Sequence, residues 1–555
     1  MRDSMKASIA WGMLALAVAL SFGIRFRLLD TPLERDEGEY AYIAQLVLDG
    51  VSPYASAYSM KTPGVALAYA PFIAWLGDTP AAVRASLIVV NAATIVLIFF
   101  FACRLLGTAE GAVAAVVFSV LSLGPGAQGL FANAEQFVNV FTMGGLVVLL
   151  GARESGGYSR CLAAGVLLGL AILMKQHGIA FAAFAGALLL LRREGTRWQL
   201  SHFVFFALGG LVPITLLVVT LGWAGGLDSF RFWSIEYAWR YLSFVTPGEG
   251  VRFGLNGLGR VIASAPFAWL LALFGALACA WDPISRSRAG FLLAFSGCSI
   301  AAVALGLRFR PHYFLFLLPA VSLWAAVGTT AFARLLAPRD RAGWQAAAQI
   351  VLVVFALGAS LAQHRELLFR MSPEEVSATS FGSNPFREAV EVSRVLRERS
   401  DRNDRIAMLA SEPEIYFYSH LRSASPFLYM TELLRDQEIS RTLQREMIAA
   451  FEQARPRYLV ISSRFDPFQR GPWRDTPLYE WARGAVRREF VRIGVVEIRR
   501  DGPSRYHWGE NLTMPPRNSD WLMVYERAAR TQPAANHLGS REPAPSSESV
   551  TTADR

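Results

Sequence analysis

A chain that is otherwise strongly apolar places a few charged residues where chemistry is possible. Asp36 and Glu37 stand together just after the first long apolar run, followed by Glu39 and Tyr40, in RDEGEYAYIAQLVLDG. A carboxylate in a partly desolvated cleft is a suitable general base for taking a proton from a hydroxyl or an amine. The same residues would serve equally as the capped, solvated start of a helix. If 37–49 is helical, Glu37, Tyr40 and Ala41 share a face that Ala44 and Leu48 continue, with Asp36 near the N-cap. Basic residues number 54, yet only Lys6, Lys61 and Lys175 are lysine. Lys61 in SMKTPG and Lys175 in LMKQHG lie at the edges of apolar runs. An ammonium there either pairs with a phosphate at the lipid surface or snorkels from a helix end. The run RFRPHYF gathers Arg308, Arg310, His312 and Tyr313. Arginine forks suit phosphate oxygens, and His312 could transfer a proton, donate a hydrogen bond or simply sit at an interface. His177, in KQHG, reads as an interfacial histidine. Glu135 is a third acid that meets Asp36 and Glu37 only if loops converge. No D-x-D and no His/Cys ligand spacing occurs, so nothing in the sequence calls for a metal or another cofactor.

These residues need elements to hold them, and the composition says which. Hydrophobic residues make up 53% of the 555 and charged residues 18%, with a mean hydropathy of +0.32. A soluble domain carries about 25% charged residues. A single soluble domain, a disordered chain and a fibrous repeat are all excluded. Four cysteines, Cys103, Cys161, Cys279 and Cys298, are too few for a disulfide scaffold and lie in or beside apolar runs as buried thiols. The net charge of +10 is spread over short arginine-bearing connections, which orients a membrane protein and does not indicate nucleic acid.

A spanning helix needs about 20 mainly apolar residues. Candidate spans run near 8–27, 84–106, 110–124, 135–152, 160–175, 178–192, 202–223, 264–281, 289–307, 312–334 and 344–363, about eleven in all. Residues 64–77 are apolar but short, and read as an interfacial or re-entrant piece. With the N-terminus in the cytoplasm, the inside connections carry Arg104; Arg153 and Arg160; Arg192, Arg193 and Arg197; Arg286 and Arg288; Arg334, Arg339 and Arg341. Three longer segments then lie outside, at about 28–83, 125–134 and 224–262. The last, with LDSFRFWSIEYAWRYLSF, suits a helix in the membrane interface. Residues 1–20 read alternatively as a signal peptide, without effect on the later topology.

Apolar runs end near residue 370. From there to about 530 the pattern is that of a soluble α/β domain, which an odd number of spans places outside. RIAMLA, RYLVISS, VRIGVVEIRR and WLMVYER read as strands. NPFREAVEVSRVLRERS, EPEIYFYSHL and TLQREMIAAFEQARP read as helices. The alternation predicts a small, mainly parallel sheet. No glycine-rich phosphate loop follows a strand. Residues 531–555 are polar and Pro/Ser-rich, as in disordered tails, and Asn511-Leu512-Thr513 matches a glycosylation sequon.

The first-loop residues RDEGEYAYIAQLVLDG, PY and KTPG, with RPHYFLFLLP and the α/β tail, resemble the C-class (GT-C) membrane glycosyltransferases. Within that class the sequence looks like the bacterial protein O-mannosyltransferase and aminoarabinose lipid A transferase relatives. The resemblance covers about residues 8–500 and rests most on the Asp-Glu pair after the first span. It implies a polytopic α-helical membrane domain over 1–370, with an extracytoplasmic α/β domain over 371–530. It further implies an inverting transferase at the outer face of the cytoplasmic membrane. That enzyme would move a hexose or pentose from a polyprenyl-phosphate donor to a lipid, glycan or protein acceptor. By position, Asp36 would be the base and Glu37 its orienting neighbour. Lys61, together with Arg308, Arg310, His312 and Tyr313, would hold the lipid phosphate, with Lys175 at the same boundary and Glu135 a second-loop acid. Met60 stands where the aminoarabinose branch has an acid before the loop lysine, and Thr62 displaces the following proline by one. The tail also differs from the mannosyltransferase plan with its inserted lumenal domain. A transporter would instead place charges within its spans, and a tethered envelope assembly or binding protein would not need about eleven spans.

Overall fold

The computed structural model describes residues 2–155, 157–191, 200–336, 342–435, 438–468, 475–499, 502–509, 512 and 519–528. Arg192, Arg193, Arg197, Arg339, Arg341, Asn511, Thr513 and the 531–555 tail lie outside them.

The N-terminal two thirds is helical. Its elements are α1 (Arg2–Arg27), α2 (Arg35–Leu48), α3 (Gly64–Leu76), α4 (Pro80–Leu105), α5 (Thr108–Leu121), α6 (Ala134–Ser155), α7 (Tyr158–Met174), α8 (Ile179–Leu190) and α9 (Leu200–Trp223). After these come α10 (Leu227–Phe230), α11 (Ala238–Leu242), α12 (Pro247–Ser264), α13 (Pro266–Ala278), α14 (Pro283–Ala304), α15 (Leu318–Leu336) and α16 (Ala342–Gln363). Among the described residues, seven helices are long and apolar enough to cross a membrane, or up to eight if α12 and α13 count as one span. The chain is a multi-pass membrane protein. Three expected spans, 110–124, 160–175 and 178–192, form helices of 14, 17 and 12 residues, shorter than a straight crossing needs. The expected span 264–281 begins at a break. Pro266 follows Ala265, α12 and α13 bend by 107° there, and proline at N1 starts a new helix. The segment expected as an outside loop over 224–262 therefore ends in α12.

The C-terminal part, from α17 (Arg365–Phe369) and α18 (Pro373–Phe381) onward, is α/β. Its elements are α19 (Phe386–Arg399), β1 (Arg405–Leu409), α20 (Glu414–Ser419), β2 (Arg422–Ser423), α21 (Ser440–Ala454), β3 (Tyr458–Ser462), α22 (Pro477–Arg488), β4 (Phe490–Ile498), β5 (Arg505–Trp508) and β6 (Asp520–Arg527). The sheet order is β2-β1-β3-β6-β4-β5. Only β2, β1 and β3 run parallel; β6 enters antiparallel between β3 and β4, and β5 adds antiparallel to β4. The mainly parallel expectation is thus corrected to a mixed sheet. β5 and β6, both antiparallel to β4, flank it on either side and run in the same direction. Side chains alternate across the sheet. Ile406, Met408, Val460 and Val524 pack under Ala389, Val392 and Leu396 of α19, and Ala407, Leu409, Leu459 and Met523 meet Leu443, Met447 and Ala482 on the other face.

The first of these layers is continuous with the membrane domain's core through Leu33, Tyr40, Ile415 and Tyr416. The contact is close and polar as well. A Cβ on Gly38 would lie 2.6 Å from the Glu414 backbone nitrogen, so α2 and α20 meet only because position 38 has no side chain. The Tyr418 hydroxyl accepts from Leu33 N–H at 2.8 Å, and the Tyr42 hydroxyl accepts from Ser423 N–H at 2.9 Å. Tyr58 N–H donates to Pro426 O at 2.7 Å, and Arg35 pairs with Glu412 at 2.9 Å.

Candidate active site

The sequence RDEGEYAY folds as a helix as expected, beginning two residues earlier, at Arg35. Glu34 caps α2 in a reciprocal box with Glu37, which satisfies two otherwise free backbone donors. The helix then sends Asp36 and Glu39, three residues apart, to one side and Glu37 to another.

On the first side sits Lys61. Its Nζ lies 2.8 Å from Asp36 Oδ1 and 2.5 Å from Glu39 Oε2. The loop that carries it is fixed from below. The Tyr54 hydroxyl donates to Lys61 O at 2.6 Å, Gln176 donates to Met60 O at 2.8 Å, and the Ser234 hydroxyl donates to Ser59 O at 3.2 Å. Gly64 lets α3 start against α7, where a Cβ would meet Leu173 O at 2.2 Å. Lys61 also lies over the Tyr40 ring at 4.8 Å. The C-terminal domain completes the cluster: the Tyr429 hydroxyl donates to Glu39 Oε2 at 2.7 Å and stands 3.5 Å from Asp36 Oδ1. Asp36 is 26% exposed and Lys61 19%, a half-open ion pair. Burial works against the Asp36 carboxylate, but Lys61, by charge and by hydrogen bond, outweighs it with the help of the Lys175 charge, and holds Asp36 well below the usual carboxylate range. The same acids, against the cost of burial, hold Lys61 protonated well above an ordinary lysine.

Glu37 points elsewhere. It is fully buried against Arg84 of α4, with Nη2 to Oε2 at 2.8 Å and a closer contact between Nη1 and Oε1. Ala132 N–H donates to Oε1 at 2.5 Å, and Glu34 N–H to Oε2 at 3.0 Å. Glu37 therefore ties α2 to α4 and to the segment before α6, and holds Asp36 in place through the backbone.

That segment leads to the second cluster. Glu135, in the first turn of α6, forms a buried ion pair with Lys175, the C-cap of α7. Lys175 lies over the Tyr313 ring at 4.2 Å, and the His177 ring meets Tyr313 edge-on at 5.2 Å. His312 joins by Nδ1 to Gln128 Oε1 at 3.2 Å. Burial lowers His312 to about 4, with Lys175 acting in the same direction and the carboxylates of Glu135 and Asp36 opposing. It is a neutral imidazole at neutral pH. Asp36, Lys61, Lys175, Glu135, His312 and Tyr313 thus form one electrostatic unit.

Arg308 and Arg310 stand at its edge. Gly306, Leu307 and Phe309 all have positive φ, of 77°, 54° and 45°. For Leu and Phe this backbone costs on the order of 1–3 kcal/mol and is kept where a side chain must be aimed. Arg308 stacks on Tyr241 at 3.7 Å, and its Nε and Nη2 have no hydrogen-bond partner among the described residues. Arg308, Arg310, Asn256 and Arg260 line a cavity of about 270 Å³. A similar cavity of about 290 Å³ around Arg288 and Arg334 touches none of the cluster. Among the described residues, no three His, Cys, Asp or Glu side chains converge as a metal site would require. The sequence singled out neither Glu39 as a site residue, though its spacing from Asp36 was there to be read, nor Tyr429.

A helical membrane domain with its charged cluster at one end, capped by an α/β domain, is the fold of the C-class membrane glycosyltransferases. Within it, residues 60–223 match the sequence model of the family described as dolichyl-phosphate-mannose-protein mannosyltransferase. The chain is similar to the structure of ArnT from Cupriavidus metallidurans bound to undecaprenyl phosphate, at 17% identity over 82% of this chain and 93% of that one, with a TM-score of 0.53. The same protein in the apo state gives 15% identity over 93% and 98%, with a TM-score of 0.54. The archaeal oligosaccharyltransferase AglB from Archaeoglobus fulgidus, in complex with an inhibitory peptide and a dolichol-phosphate, gives 12% identity over 92% and 75%, with a TM-score of 0.52. At these identities the likeness is one of fold. No curated protein sequence gives a significant match.

Proposed function

We propose that the protein is a glycosyltransferase that moves a sugar from a polyprenyl-phosphate donor to a lipid, glycan or protein acceptor. The reaction inverts the anomeric carbon and takes place at the extracytoplasmic face of the cytoplasmic membrane. The observation that carries the reading is the half-open Asp36–Lys61–Glu39 cluster, set beside Lys175, His312, Tyr313 and the two arginines within a C-class fold. Structural neighbours bound to undecaprenyl phosphate and dolichol-phosphate support the donor class.

The chemistry follows from charge. The acceptor oxygen or nitrogen attacks the anomeric carbon, its proton passes to Asp36, and the bond from that carbon to the phosphate oxygen breaks with the electrons on the lipid phosphate. Asp36, Glu39 and Glu135 carry one formal charge more than Lys61 and Lys175 can balance; Arg308 and Arg310 reverse that sign. Cations fixed in a water-poor cleft stabilise a leaving phosphate without reorganising during the reaction, so the chain's own side chains supply the charge and no cofactor is invoked. Asp36 bonded to Lys61 is a weak base. A donor phosphate that draws Lys61 to itself weakens that bond and raises Asp36 toward the range where it takes a proton well. Donor binding thereby switches the base on.

The test is release of polyprenyl phosphate from a panel of polyprenyl-phosphate sugars by purified protein in nanodiscs, with membrane extract as acceptor. Turnover with one donor, lowered about 10²–10⁴-fold by Asp36→Asn, is the expected result.

A further inference from the structure

The C-terminal domain does more than cover the bundle. Its 427–432 segment and the first loop enclose a narrow cleft lined by Glu39, Tyr58, Met60, Lys61, Trp233, Phe427, Leu428, Tyr429 and Glu432. One wall is aromatic: Tyr58 stacks on Trp233 at 5.2 Å, and Phe427 meets both edge-on at 5.2 and 5.8 Å. The lining also carries two acids, Glu39 and Glu432. Glu39 is held by Lys61 and by the Tyr429 hydroxyl. Glu432, 7% exposed, accepts from the Thr431 hydroxyl at 3.1 Å. Lys61 lines the cleft as well.

We propose that this cleft holds the sugar ring of the donor and that Glu432 is the residue that reads which sugar is attached. The inference rests on the glycosyltransferase reading above. A sugar offers an apolar C–H face, which aromatic rings cover, and a rim of hydroxyl or amino donors, which carboxyl oxygens accept. The occupant is the donor's ring because that ring is bonded directly to the phosphate. Whatever Lys61 neutralises, the ring must lie one bond away, and the cleft is the space next to Lys61. Burial pushes the Glu432 carboxyl up to about 7, Glu39 adding to it, so near neutrality it both donates and accepts. The cleft is tight, about 30 Å³, close to the space of one water. On this proposal, donor binding displaces residues 427–432 outward. That segment has no helix; it is held by Met430 N–H to Ser411 Oγ at 3.0 Å and the Tyr429 hydroxyl to Glu39 at 2.7 Å, with Tyr58 N–H bonded to the adjoining Pro426 O at 2.7 Å.

The test compares binding of bare undecaprenyl phosphate with that of undecaprenyl phosphate carrying mannose, glucose or 4-amino-4-deoxyarabinose, using the full chain in nanodiscs. Wild type is expected to bind one sugar-bearing lipid more tightly than the bare lipid. Glu432→Gln should weaken that donor about tenfold, the loss of one well-placed hydrogen bond, and leave bare undecaprenyl phosphate within twofold. Glu432→Asp, which keeps the acid but withdraws it, should reorder the sugars, and it serves if the amide variant does not fold. Equal loss for bare and sugar-bearing lipid would overturn the inference and leave the function standing. So would an unchanged donor affinity with a raised acceptor KM, which would give the cleft to the acceptor. If wild type binds neither bare nor sugar-bearing lipid, the functional reading fails and the inference fails with it.

Discussion

Replacing Lys61 by methionine keeps the length of the side chain and removes the charge that holds Asp36 ionised. The magnitude follows from the 2.8 Å contact. At an effective dielectric of about 20, two unit charges at that separation interact by roughly 6 kcal/mol, which is about four pKa units. Asp36 is 26% exposed, and water reduces the effect, while Lys175 keeps part of the attraction. A rise of at least about two units is expected. The sign is fixed: burial raises Asp36, and Lys61 is the main force against it. In wild type, kcat/KM should show no acid limb from Asp36 above about pH 4.5, because Asp36 stays ionised there. In Lys61→Met, the residual kcat/KM should gain an acid limb, because burial, no longer opposed by Lys61, raises Asp36. The assay is polyprenyl phosphate release across pH with saturating acceptor. An acid limb that stays flat in Lys61→Met would refute the electrostatic argument, whatever the loss in absolute rate.

Other consequences are open to measurement. Arg84→Leu leaves the Glu37 carboxylate buried with only backbone donors, and should cost about 3–5 kcal/mol; adding Glu37→Gln should restore most of it, as read by thermal unfolding in detergent. Glu432 is raised by burial to about 7, so its contribution is intact at low pH and is lost as pH rises from about 4.5 to 7. The C-terminal domain should lose about 3 kcal/mol between pH 5 and 8 in wild type and not in Glu432→Gln, measured by hydrogen exchange of β1 and β3 amides. Donor turnover should persist after exhaustive chelation with EDTA, because the neutralising charge is assigned to Lys61, Lys175, Arg308 and Arg310; activity lost to the chelator and restored by one divalent cation would contradict that assignment.

Much of the membrane domain was legible because charge is rare in it. In a chain with three lysines, Lys61 and Lys175 stood out by type, and the structure sets them in one cluster through Asp36 and Glu135. Asp36 was legible for the same reason. Glu37 beside it shows the limit: adjacent residues on a helix face different ways, so the acid in sequence contact with Asp36 went to Arg84, and the one three residues on, Glu39, joined Lys61. Tyr429 and Glu432 reach the site from nearly four hundred residues away, and no local pattern reports such a meeting. Hydropathy measures apolar length and not direction, so it gave 110–124 and 264–281 as spans. In the fold the first is a 14-residue helix and the second follows a 107° bend at Pro266. The strands of the C-terminal domain were visible individually, but the insertion of β6 between β3 and β4 is a long-range pairing set by tertiary packing.

The central claim is that Asp36 takes the acceptor's proton as a lipid-linked sugar is transferred. The direct measurement is single-donor turnover by wild type and Asp36→Asn in nanodiscs, with binding of undecaprenyl phosphate to both as the control for folding. The account predicts that both proteins bind the lipid and that the variant's kcat falls about 10²–10⁴-fold. Equal turnover by the two proteins would contradict it.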